Sequence, residues 1–113
     1  MTMRRFTDDE MQQQLATARP YSVVILRAGP RFGDDGAGAL IWEHGRRNFG
    51  LRDSGEPAVV LPCPDESEFC GVAVFTGTVE ETAAVMDADP GVQAGTFVYE
   101  IHSCVGFPGD ALS

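Results

Sequence analysis

The chain contains no lysine. Its eight basic residues are all arginine, set against seventeen acidic ones, for a net charge of −9. An acidic chain without a basic cluster repels a phosphate backbone, which argues against nucleic acid and anionic membrane as partners. A run of about twenty apolar residues, the length that crosses a bilayer, is also missing. The opening MTMRRFTDDEMQQQ has two arginines with no apolar stretch behind them, so no secretory signal is expected. Cysteine is scarce: Cys63, Cys70 and Cys104 form an odd set with no close pair and no C-x-x-C. That suits a reducing cytoplasm and buried thiols better than a disulfide framework or a metal centre. The glycine-rich AGPRFGDDGAG lacks the lysine and the spacing of a phosphate-cradling loop. The expectation is a cytoplasmic protein with no metal and no cofactor.

What is present is the composition of one globular domain: 113 residues, 43% apolar and 22% charged. Thr7 and Glu10 make a capping box that opens a helix through about Thr17, closed by Pro20. Its apolar face (Met11, Leu15, Ala18) is thin, so the helix is peripheral. Tyr21 to Arg27, YSVVILR, reads as a β-branched strand. In the following loop Asp34 or Asp35 is placed to cap a helix from about Gly36 to Leu51. Ala37, Leu40, Ile41, His44, Asn48 and Leu51 share one face of that helix. AVVLPC and FCGVAVF are strands joined across PDESE. Thr78 and Glu81 form a second capping box for TVEETAAVMDA, which Pro90 stops at Asp89 or just before. Thr96 to Ser103 is the last strand, ahead of a loose tail. Residues 1–19 are thus a helical extension, 20–105 the domain, and 106–113 the tail.

The order after the first helix is β-α-β-β-α-β. It predicts an α+β, ferredoxin-like fold: a four-stranded antiparallel sheet in the order 4-1-3-2, with both helices on one face. SVVIL and VAVF are apolar on both faces, so the bare face needs a cover. A second copy of the sheet, giving a homodimer of the dimeric α/β-barrel type, is the expected solution. The N-terminal helix folded beneath the sheet is the competing one.

Taken alone, a histidine on an apolar helix face is most simply a hydrogen-bonded core residue, and an Asp before Pro is a turn starter. The predicted topology brings His44 and Asp89 together at one mouth of the helix–sheet crevice. A carboxylate there would fix the imidazole tautomer and raise its basicity, as a general base requires. The segment DADPGVQAGTFVYEI resembles the YCII-related (YciI-like) domains: Asp89, Pro90, Val92, Ala94 and Gly95 stand at the family's Asp-Pro and Ala-Gly positions. His44 resembles the family's helix histidine, and Pro62 its Gly-Pro pair, with Leu61 in place of the glycine. The resemblance spans about Tyr21 to Ser103. It implies a ferredoxin-like, dimeric protein with a His-Asp pair as its site.

These residues lead to a small cofactor-free enzyme in which His44 moves a proton and Asp89 orients it, in an elimination or isomerisation of a small organic molecule. The alternative is a non-catalytic dimeric module that binds a ligand or regulates. Cofactor-independent oxygenation is a third reading, requiring an apolar pocket around Trp42. Arg27, Arg31 and Arg47 are candidates to hold a substrate carboxylate or phenolate, and Trp42 and Tyr99 candidates to line the pocket. His102 reads as structural or interfacial, and Asp87 as a solvated helix-end residue.

Overall fold

The computed structural model describes residues 2–113 as an α+β chain built on one four-stranded antiparallel sheet. The elements run α1 (Asp8–Leu15), β1 (Arg19–Ala28), α2 (Ala37–Ser54), β2 (Pro57–Pro62), β3 (Phe69–Phe75), α3 (Val79–Asp87), α4 (Pro90–Gln93) and β4 (Phe97–Gly106). The sheet order is β2-β3-β1-β4, which sets the first strand beside the last. The arrangement is compatible with a ferredoxin-like fold.

Strand alternation decides what is buried. Ser22, Val24 and Leu26 of β1 point to the helix side, opposite Phe75, Ala73 and Gly71 of β3. On the β4 side they face Ser103, Ile101 and Tyr99. The core forms there from Val24, Leu26, Phe75, Met86 and Phe97. Val23 and Ile25, with Val74 and Val72 opposite them, alternate onto the other face and are half-buried. The N-terminal helix does not cover that face, because α1 buries none of its residues.

Several local expectations are corrected. The first helix ends at Leu15, and Pro20 sits inside β1 opposite Val105 rather than at a helix end. Neither Asp34 nor Asp35 caps α2. Its N-cap is Gly36, at φ 85°, a left-handed conformation with no side-chain cap, which a glycine adopts without strain. The helix runs past Leu51 to Ser54 and closes on Gly55. Both capping boxes form as read, with Thr7 accepting from Glu10 and Thr78 from Glu81. The cysteines are half-buried rather than buried. Cys63, just past β2, and Cys70 on β3 are neighbours across the hairpin: the Cys63 N–H donates to the Cys70 carbonyl at 2.9 Å.

Candidate functional site

His44 is one of only two buried residues on α2, the other being Ala37. Its ring lies against Phe97, with centroids 4.6 Å apart and planes tilted by 47°. Phe97 enters β4 directly after the α4 turn, so the same turn that carries Asp89 also carries the floor under the imidazole. Nδ1 of His44 lies 2.8 Å from Oδ1 of Asp89. An ionised carboxylate only accepts, so Nδ1 carries the proton, and in the neutral ring Nε2 presents its lone pair.

Asp89 is fully buried. It does more than end a turn: it is the N-cap of α4, and its Oδ2 accepts from the N–H groups of Gly91 and Val92 at 3.0 and 3.2 Å. Pro90 occupies the first helical position, where its missing N–H is harmless. Arg47, one turn after His44 on α2, brings Nη1 within 3.6 Å of Oδ1 and donates from Nη2 to the Val85 carbonyl at 2.7 Å. Burial alone would raise the Asp89 pKa. The His44 hydrogen bond and charge, the Val92 N–H and the Arg47 charge outweigh it and hold the carboxyl below its ordinary value. The aspartate is therefore an ionised, pre-oriented acceptor.

His44 also faces a crevice of about 1000 Å³ between α2 and the β1-β3-β2 part of the sheet. Val24, Leu26 and Phe75 form its base, Ile41 and Phe49 part of its helix wall, and Phe32 of the β1–α2 loop also lines it. The apolar face of α2 lines this opening instead of closing on the sheet, which is why Phe49 stays 70% exposed. The α2 residue one turn beyond the histidine, Asn48, also lines the crevice, and its Nδ2 lies 3.0 Å from Nε2 of His44. In the sequence Asn48 shares the helix face of His44, and only its i+4 spacing from the histidine marks it for the site.

The structure gathers His44, Asp89 and Arg47 and leaves the other candidates elsewhere. Arg47 is a counter-charge beneath Asp89, and it does not line the crevice. Arg27 lies opposite Val98 and pairs with Glu100 across β4, over the ring of Phe69. Arg31 lies at a small separate hollow with Asp34, Asp35 and Thr96. Trp42 is 70% exposed and outside the crevice. Tyr99 packs against the core, and its hydroxyl donates to Asp87, so that carboxylate is partnered rather than merely solvated. His102 is exposed and hydrogen-bonds Glu100 at 2.7 Å. Among the described residues no cluster of three or more His, Cys, Asp or Glu could hold a metal ion, and no helix is long and apolar enough to cross a membrane.

No protein-family model matches the chain, and no curated protein matches it.

Proposed function

We propose that this protein is a small enzyme of the YCII-related type that performs acid–base chemistry on a small organic molecule without a cofactor, by elimination or isomerisation. The observation that carries the reading is the 2.8 Å contact between Nδ1 of His44 and Asp89, at the edge of an apolar crevice. Such a pair directs the Nε2 lone pair at a bound molecule, and the carboxylate stabilises the imidazolium that forms. A base of this kind contributes roughly 10²–10⁴-fold, the remainder coming from orientation in the crevice. The working unit is a homodimer packed through the free sheet face, where Val23, Ile25, Val72 and Val74 lie.

The test is a screen of carbonyl, enol and phenolic compounds in D₂O, reading exchange of carbon-bound hydrogen by NMR, with His44→Ala as control. Exchange that disappears in the variant supports the reading, and exchange that survives it removes His44 from the role. Light scattering tests the dimer, and a monomer at micromolar concentration would refute it. The second reading, a non-catalytic binding module, is favoured by the Asn48 contact: both ring nitrogens of His44 already have partners, as in a structural histidine. Saturable binding without any exchange would select it.

A further inference from the structure

His44 is served from two sides. Asp89 accepts a hydrogen bond from Nδ1–H, which leaves Nε2 of the neutral ring as an acceptor, and Asn48 is the polar group on that acceptor, at 3.0 Å. The Asn48 amide has two N–H donors, and a single lone pair on Nε2 occupies one of them. A base nitrogen that takes a proton from a bound molecule exchanges its Asn48 hydrogen bond for that proton. An amide released in this way is then the nearest donor to whatever charge the molecule develops.

The rest of the crevice limits what that molecule can be. Its charged lining residues are Arg52, Glu66 and Asp110, all solvent-exposed. Arg52 stands eight residues beyond His44 on α2, roughly 12 Å along the axis at 1.5 Å per residue. Arg47, the cation closest to the dyad, is turned to Asp89 and to the Val85 carbonyl. Among the described residues, Arg52 is thus the one arginine that lines the crevice, about two helical turns from the dyad. Phe97 packs against the histidine ring, and Val24, Leu26 and Ile41 line the same crevice. A site with an apolar body and one or two convergent polar groups selects a ligand with the same distribution.

Building on the acid–base reading above, we infer that Asn48 and His44 together recognise a neutral, largely apolar carbonyl compound, Asn48 holding its oxygen while Nε2 of His44 takes the proton from the adjacent carbon. The C–H bond breaks and the Nε2–H bond forms. The electron pair moves onto the carbonyl oxygen as an enolate, which the Asn48 N–H stabilises as an oxyanion donor does. Return of the proton at another carbon completes an isomerisation. Expulsion of a leaving group with its electron pair completes an elimination.

The probes are 2-naphthol, a planar apolar enol mimic, and 2-naphthoate, the same ring carrying a permanent carboxylate. Binding is read by fluorescence, and the His44 tautomer by side-chain ¹⁵N NMR. The expected result is that naphthol binds at least tenfold more tightly than naphthoate, and that Asn48→Ala weakens naphthol tenfold or more with the circular dichroism unchanged. Preference for naphthoate, equal naphthol affinity in the variant, or no binding of either probe at millimolar concentration overturns the inference. The probe comparison uses the unaltered protein, so a misfolded variant cannot rescue or sink it. The spectra separate this inference from its foundation: a wild-type His44 without the Nδ1–H tautomer removes the dyad itself. A correct tautomer with Asn48-independent binding removes only the role of Asn48.

Discussion

Asp89 divides its carboxylate between a histidine and a helix start: Oδ1 accepts from His44 and Oδ2 accepts from Gly91 and Val92 at the start of α4. The helix cap and the histidine partner are thus one group. The cap fixes where the carboxylate stands, and the fixed carboxylate decides which nitrogen of His44 is free. A substitution that preserves the cap and discards the charge separates the two roles.

Asp89→Asn is that substitution. Asn is as good an N-cap as Asp, so its amide oxygen is expected to keep the α4 bonds and turn its NH₂ towards Nδ1. The imidazole then moves its proton to Nε2, where it faces Asn48 and is no longer a base. Side-chain ¹⁵N shifts are expected to show the inverted tautomer, and the proposed acid–base turnover is expected to fall by several orders of magnitude, as when a triad aspartate becomes Asn. Unfolding in urea is expected to lose about 1.5–3 kcal/mol, the scale of a hydrogen bond to a charged group. An unchanged tautomer would show that Asp89 does not set it.

The same carboxylate shapes the acid limb of stability. Its folded pKa lies below the ordinary 3.8, so its contribution is fully present above that value and is lost as pH falls through the folded pKa. The expected outcome is a steep loss of stability below about pH 4, and a shallower one in Asp89→Asn, read from urea midpoints across pH 2 to 7 as an approximate range. Parallel acid limbs in the two proteins would mean that Asp89 titrates alike folded and unfolded.

The sheet, the two capping boxes and the meeting of His44 with Asp89 were legible in the sequence because each rests on a local pattern or on element order. β-branched runs gave the strands, Thr-x-x-Glu gave two helix starts, and the order of elements placed the α2 histidine near the end of α3. What was not legible depended on backbone or on distance. Gly36 caps α2 through its left-handed φ and not through a side chain, so the neighbouring aspartates misled. The one-turn α4 is too short for a periodic signal, and its cap is visible only through hydrogen bonds. Charge alone marks the arginines in the sequence, but side-chain direction is set by strand face and helix phase. These turn Arg27 to Glu100 and Arg47 beneath Asp89.

Gly91 carries the floor of the site. A Cβ there would lie 2.6 and 2.8 Å from Cδ2 and Cε2 of Phe97, the ring against which His44 packs. Ala is the better helix former by about 1 kcal/mol, so any net destabilisation of Gly91→Ala reports the clash. The expected cost is about 1–3 kcal/mol, with a displaced His44 ring resonance. The double variant Gly91→Ala, Phe97→Leu is expected to recover part of it, as coupled neighbours do. Additive effects would break the link between the two.

Thr82 offers a gain. It is 1% exposed on α3, and its Oγ1 is buried with no hydrogen-bond partner. Thr82→Val keeps the β-branched shape and removes the unsatisfied hydroxyl, so stability is expected to rise by up to about 1 kcal/mol in urea unfolding. A loss of similar size would show that the hydroxyl has a partner in solution.

Tyr99 titrates late because its hydroxyl donates to Asp87, with desolvation and the nearby negative charge adding to the effect; together they push its pKa up to about 12. A phenol whose folded pKa is raised stabilises the fold fully below the ordinary 10.0, and that contribution fades as pH rises through about 12. Tyr21 is the only other tyrosine, so a Tyr21→Phe background isolates the tyrosinate absorbance of Tyr99. In that background Asp87→Asn is expected to bring the titration down towards 10.0 and to flatten the alkaline limb of the urea midpoints. The loss is expected to leave the tautomer of His44 in place, because Asp87 closes α3 on the β4 side while Asp89 alone reaches the histidine. An altered tautomer in Asp87→Asn would instead join the two carboxylates into one network.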